Sequence, residues 1–124
     1  MQNENKLKII TAAITGFLAV AIGAFGAHGL SSTLSENMMD TYETGVLYHL
    51  VHSVVLLGLA VSTYNFNKSF WFIFTGIILF SFSLYFYSIT GIRSLAIITP
   101  FGGVGFLIGW LLIIYEIIKN PAGR

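Results

Sequence analysis

The chain contains no cysteine, which excludes disulfides, thiolate metal sites and thiol redox chemistry. Charge is scarce as well: six Lys or Arg and five Asp or Glu make up 9% of 124 residues, against about a quarter in ordinary soluble domains. The net charge of +1 excludes a strongly basic nucleic-acid binder. No Gly-x-Ser-x-Gly nucleophile elbow occurs. No carboxylate lies inside a long apolar run before Glu116, so the central acid expected of a small proton-coupled exporter is missing. In their place stand 56% hydrophobic and 15% aromatic residues, with a mean hydropathy of +0.83. In water such a composition would expose large apolar patches. The sequence therefore reads as an integral membrane protein whose obligatory partner is the lipid bilayer.

The few charges punctuate the chain, because an ionised side chain at the bilayer centre costs about 2.5–3.5 kcal/mol on insertion scales. No charged residue lies between Lys8 and Glu36, Glu43 and Lys68, Lys68 and Arg93, or Arg93 and Glu116. Each gap exceeds the ~20 residues that cross ~30 Å of hydrocarbon as a helix. The expected fold is all-α, one membrane domain over residues 1–124 with spans at 7–29, 43–64, 69–90 and 95–118. Short links at Asn65 to Lys68 and Gly91 to Ser94 make sequential helices antiparallel neighbours in an up-down bundle. The longer segment 30–42 places Leu30, Leu34, Met38 and Tyr42 four apart, which suits a short interfacial helix or else a polar loop.

Basic residues set the orientation. Lys6, Lys8, Lys68, Lys119 and Arg124 fall on the side of both termini, whereas the other side holds Arg93 with Glu36, Asp40 and Glu43. Both termini are therefore expected in the cytoplasm of a multi-pass cell-membrane protein. Lys6 and Lys8 before an apolar run also suit a signal peptide, but that run outlasts the 7–15 residues of a signal core.

Helices in lipid associate by close packing, so small residues four apart mark contact faces. Thr15, Ala19, Gly23 and Ala27 form one such row, and Gly105 and Gly109 another. The neighbour they meet is either another helix of the chain or a second copy. Pro100 falls near the start of the fourth span, where a missing backbone donor is tolerated. The third span is rich in aromatic rings from Phe70 to Tyr87, expected mostly as lipid contacts and interface anchors.

Intramembrane ionisable groups are functional candidates because their burial is costly. His49 and His52 share one face of the second span, about 9 and 13 Å beyond Glu43 at 1.5 Å per residue. A metal centre would need at least three of His28, His49, His52 and Glu43 to converge, and a haem two His from the first and second spans, yet His28 sits at the membrane surface and His52 over two turns deeper. Neutral imidazoles also bridge helices by hydrogen bonds, with Tyr85, Ser81, Ser83 or Thr99 as partners.

The segment GAFGAHGL, Gly23 to Leu30, resembles the YgdD/YwdK family of small bacterial membrane proteins. The resemblance continues through YHLVHS (Tyr48 to Ser53), FSFSLY (Phe80 to Tyr85) and ITPFGGVGFLIGW (Ile98 to Trp110). It implies a four-helix membrane bundle and carries no established reaction to transfer. Its motif residues here are Gly23, Gly26, His28, Tyr48, His52, Ser81, Ser83, Tyr85, Thr99, Pro100, Gly102, Gly103, Gly109 and Trp110. His49 falls outside that pattern, and Phe82 stands where the pattern has Gly. With Arg93, the polar residues His28, Tyr48, His52, Ser81, Ser83, Tyr85 and Thr99 form a candidate pocket at the outer leaflet.

Three functions follow as expectations. The first is a non-enzymatic structural, regulatory or partner-binding bundle, contacting a membrane-protein partner or a second copy. The second is a binding or transport module holding a lipid- or quinone-like amphiphile in the outer pocket. The third is an intramembrane metal- or haem-dependent enzyme. No catalytic residue, metal ligand or cofactor is assigned.

Overall fold

The structure, a computed structural model, describes residues 3–121; Arg124 of the charge argument lies outside them. Among the described residues, four helices are long and apolar enough to cross a membrane: Asn3–Leu30, Glu36–Val61, Asn67–Thr90 and Arg93–Lys119. They are called the first to fourth helix below. Two carry a single π-wound turn, at Gly26–Leu30 in the first helix and Ile78–Phe82 in the third. The fourth opens with a 3-10 turn over Arg93–Ile97 and becomes α-helical from Thr99, with Pro100 in its first turn.

The second helix starts at Glu36, well before the expected entry at 43, so most of segment 30–42 is neither a loop nor a separate interfacial helix. Ser35 caps this start: its hydroxyl accepts the Met38 amide at 3.2 Å. Twenty-six residues rise about 39 Å, more than the ~30 Å of hydrocarbon. The excess falls at the charged first turns, where Glu36, Asp40 and Glu43 are exposed. Tyr42 faces the other way, buried, with its hydroxyl donating to the Ile22 carbonyl at 2.6 Å. That bond ties the first helix to the second.

The third helix packs against both the second and the fourth. Its rings are therefore largely interior, contrary to their expected role as lipid contacts. Phe70 is fully buried, Tyr85 nearly so, and Phe74, Phe80 and Phe82 are half-buried; Phe72 and Phe86 remain exposed. The chain's charge gaps located this helix but not its neighbours on both sides.

The two halves of the bundle differ in chemistry. Toward the termini, Ala12, Leu56, Leu59, Ala60, Phe66, Phe70, Ile73, Ile77 and Phe106 make an apolar core. Toward the opposite end, buried His, Ser and Tyr side chains fill the interior.

Glycines set the spacing where backbones meet. A Cβ on Gly102 would overlap the Phe80 backbone, and one on Gly105 would sit 3.3 Å from the Gly76 Cα, so the fourth helix's glycine row packs on the third helix of the same chain. In the first helix, Thr15 and Ala19 are buried and Gly23 lies against Val46, but Ala27 is exposed. Four residues turn about 400°, so a strict four-residue row drifts by ~40° a step and leaves the contact face by its fourth member. Gly26 takes the place instead, beneath the Tyr42 ring.

Candidate functional site

The buried stripe of the second helix runs through Tyr42, Gly45, His49, His52, Ser53 and Leu56. Its three- and four-residue steps keep one face toward the bundle. Both histidines of the candidate pair lie on this stripe, with His49 midway along the helix.

His52 is pinned on three sides. Its Nδ1 lies 2.8 Å from the Tyr48 carbonyl, and its Nε2 is 3.1 Å from the Trp110 indole nitrogen. A carbonyl can only accept and an indole N–H can only donate. Both contacts therefore select the same neutral tautomer, with the proton on Nδ1. The ring also stacks on Phe106 at a centroid distance of 3.8 Å. No lone pair remains for a metal, and no nitrogen for a reacting group.

His49 is arranged otherwise. Its Nδ1 is 2.8 Å from the Tyr85 hydroxyl. Tyr85 makes no other side-chain hydrogen bond among the described residues, so the phenol donates its proton to Nδ1 and the imidazole proton sits on Nε2. That Nε2 is buried and has no hydrogen-bond partner; Ser69 Oγ, in the first turn of the third helix, is the other such side-chain atom among the described residues. The Thr15 carbonyl faces the His49 ring, but no bond of acceptable geometry joins it to Nε2.

His49 lines a cavity of about 270 Å³ between the first and third helices. Ile14 and Leu18 form one wall, and Phe74, Ile78 and Phe82 the other. Ile78 and Phe82 bound the π turn of the third helix, a kind of distortion frequent at functional sites. Polar groups at the cavity are His49, Thr11 and Thr15; the Thr15 hydroxyl donates its proton to the Thr11 carbonyl at 2.6 Å and keeps its acceptor lone pairs.

The other residues of the candidate outer pocket take separate partners. Ser81 donates to the Gly45 carbonyl at 2.8 Å. Ser83 donates to the Phe80 carbonyl at 2.8 Å, so the Thr99 hydroxyl, 2.6 Å away, is the donor in their pair. Tyr48 is part exposed and packs against Phe80. His28 and Arg93 are exposed. Among the described residues, no three His, Asp or Glu side chains gather closely enough to hold a metal ion. The cavity at His49 joins the first and third helices near mid-bundle, and of the outer-pocket residues none lines it.

Trp110 is the partner that sequence reasoning missed. A usable signal existed: Trp110 and His52 lie at nearly the same distance from the ends of the second and fourth helices that share one side of the bundle.

Fold and site together define a multi-pass, all-helical membrane bundle whose helices are joined through buried polar side chains. The chain belongs to the family described as "Protein of unknown function (DUF423)", which matches residues 22–103. The UPF0382 membrane protein YwdK of Bacillus subtilis is 42% identical over 123 residues, covering 92% of this chain and 98% of the relative. The UPF0382 inner membrane protein YgdD of Escherichia coli is 41% identical over 121 residues, covering 93% and 92%. A UPF0382 membrane protein of Staphylococcus epidermidis is 42% identical over 118 residues, covering 92% and 97%. No solved structure matches the chain.

Proposed function

We propose that this protein is a non-enzymatic bundle of the cell membrane, with both termini in the cytoplasm, that serves as a structural or partner-binding element. The observation that carries this reading is the state of His52, whose Nδ1 is consumed by the Tyr48 carbonyl of its own helix and whose Nε2 is consumed by the Trp110 indole of the fourth. In lipid there is no hydrophobic force between helices, so close packing and interhelical hydrogen bonds hold them. Tyr42 joins the first and second helices, Ser81 and Tyr85 the second and third, Thr99 the third and fourth, and Trp110 the second and fourth. The intramembrane polar residues thus have a structural use. The exposed apolar flanks, such as Phe17, Val54 and Leu107, meet lipid or a membrane-protein partner.

Elemental analysis and an absorption spectrum of the protein, purified in a mild detergent from its own membrane, test this. The expected result is no stoichiometric transition metal or haem, and a His52→Ala variant that loses stability alone. A bound metal or haem that disappears in His52→Ala would overturn the reading.

A second reading, a binding module for a lipid- or quinone-like molecule, is favoured by the largely apolar cavity lined by Ile14, Leu18, Phe74, Ile78 and Phe82. That cavity lies between the first and third helices rather than in the outer pocket.

A further inference from the structure

We infer that the end of the bundle carrying the termini binds a phosphodiester group, in a pocket between the start of the first helix and the link after the second, with Lys8 as its cation. The inference goes beyond both functional readings and depends on neither. Three observations carry it.

Lys8 is a buried cation without a counter-charge. It lies on the inward stripe of the first helix with Ala12, Thr15 and Ala19, and is 8% exposed. Lysine is almost never so enclosed unless paired, yet no hydrogen bond or ion pair holds its ammonium among the described residues. The nitrogen is not sealed, since the closed, unpartnered side-chain atoms among the described residues are His49 Nε2 and Ser69 Oγ. Lys8 lines a pocket of about 310 Å³, roomier than the ~150 Å³ engineered cavity that binds benzene.

The other polar groups of the pocket are mostly donors left over. Ser62 Oγ accepts the Tyr64 amide at 3.1 Å, and Asn65 Oδ1 accepts the Asn67 amide at 3.2 Å. Their acceptor oxygens thus serve the backbone of the link, while the Ser62 hydroxyl proton and the Asn65 NH₂ group stay available. Asn5 and Thr63 add further donors. Charge-assisted bonds to phosphate oxygens are strong ones. Glu4 also lines the pocket, exposed and one turn before Lys8. Beside one ammonium and one carboxylate, a singly charged phosphodiester is repelled less than a doubly charged monoester.

The location points to a lipid as its source. Leu7 and Val61, beside Lys8 and Ser62 in the chain, are exposed apolar residues, and Leu59 lines the pocket. The pocket therefore sits where the apolar belt meets the polar link, at headgroup depth. Among the described residues this end carries Lys6, Lys8, Lys68 and Lys119 against Glu4 and Glu116; the other end carries Arg93 against Glu36, Asp40 and Glu43. An anion is drawn to the first of these ends.

The test is native mass spectrometry of the full chain, stripped of lipid in a non-ionic detergent and titrated with phosphatidylglycerol or with diacylglycerol of the same acyl chains. One phosphatidylglycerol per chain is expected to be retained, and diacylglycerol not. Lys8→Gln is expected to weaken retention about tenfold or more, whereas Lys6→Gln, exposed and outside the pocket, leaves it unchanged. Asn65→Asp, which keeps the acceptor for the Asn67 amide and replaces the free donors by a charge, is expected to weaken it as well. Glycerophosphoglycerol, the same headgroup without acyl chains, separates the sources: displacement of the lipid at millimolar concentration assigns a soluble phosphodiester, and no displacement a phospholipid.

Melting curves without lipid separate binding from folding. Lys8→Gln is expected to melt no lower than the parent chain there, because it removes an unpaired buried charge, and to lose the stabilisation that phosphatidylglycerol gives the parent. Equal retention of diacylglycerol, unchanged retention in both Lys8→Gln and Asn65→Asp, an equal loss in Lys6→Gln, or a lower lipid-free melting temperature in Lys8→Gln would each overturn the proposal; the last would show that Lys8 serves an internal ion pair.

Discussion

The Trp110 indole donates to His52 Nε2 at 3.1 Å, across 58 residues of sequence. With Nδ1 already donating to the Tyr48 carbonyl, this one bond converts an intramembrane histidine from a candidate ligand into a neutral joint between the second and fourth helices. His49, one turn away, has the opposite tautomer, with its Nε2–H buried against the Thr15 carbonyl. Two histidines on one face thus have different work.

Replacing Trp110 by Phe is expected to lower stability by about 1–2 kcal/mol, because it leaves a buried acceptor unpaired. His52→Phe combined with Trp110→Phe should cost less than the two single changes together, since both ends of the bond are then removed. Unfolding titrations in mixed detergent micelles measure all three. Additive costs would show that the bond contributes nothing.

Backbone proximity gives a sharper contrast. Gly102→Ala places a methyl group into the Phe80 backbone, which has no rotamer to change, so a loss of about 1–3 kcal/mol is expected. At Gly58 nothing lies within 4 Å of the added methyl; the same change there should be neutral or stabilise by up to ~1 kcal/mol. Thermal melts of the two variants in one detergent compare them directly.

At the start of the second helix, Ser35→Ala removes the acceptor for the Met38 amide. A loss of about 1 kcal/mol is expected. Hydrogen exchange should quicken at Met38 and leave His49 protected. Equal exchange at Met38 in both proteins would show that the helix does not begin there.

The absence of native cysteine makes the orientation directly measurable. Ser32 and Asn65 are exposed in links at opposite ends of the bundle. With cytoplasmic termini, a membrane-impermeant thiol reagent added to intact cells should label Ser32→Cys and spare Asn65→Cys. The reverse pattern would invert the bundle.

Four spans and their short second and third links were legible because the cost of a charge in hydrocarbon acts along one dimension, the position in the chain. The second helix's early start was less visible: Glu36, Asp40 and Glu43 looked like the edge of a loop, yet they form the exposed face of helical turns that rise beyond the hydrocarbon. Composition also marked the third span's rings as lipid contacts, since a ring facing a neighbour and a ring facing an acyl chain have the same sequence.

By itself the sequence determined four runs long and apolar enough to cross a membrane, and that His49 and His52 share a helix face. Only the tertiary structure decided what each imidazole does. Tyr85 reaches His49 from 36 residues away and Trp110 reaches His52 from 58, and the cavity wall comes from the first and third helices. Helical periodicity fixes which residues of one helix lie together. The rotation and depth at which two helices meet come from packing at Gly26, Gly45 and Gly102, where a methyl group would collide with a neighbouring helix.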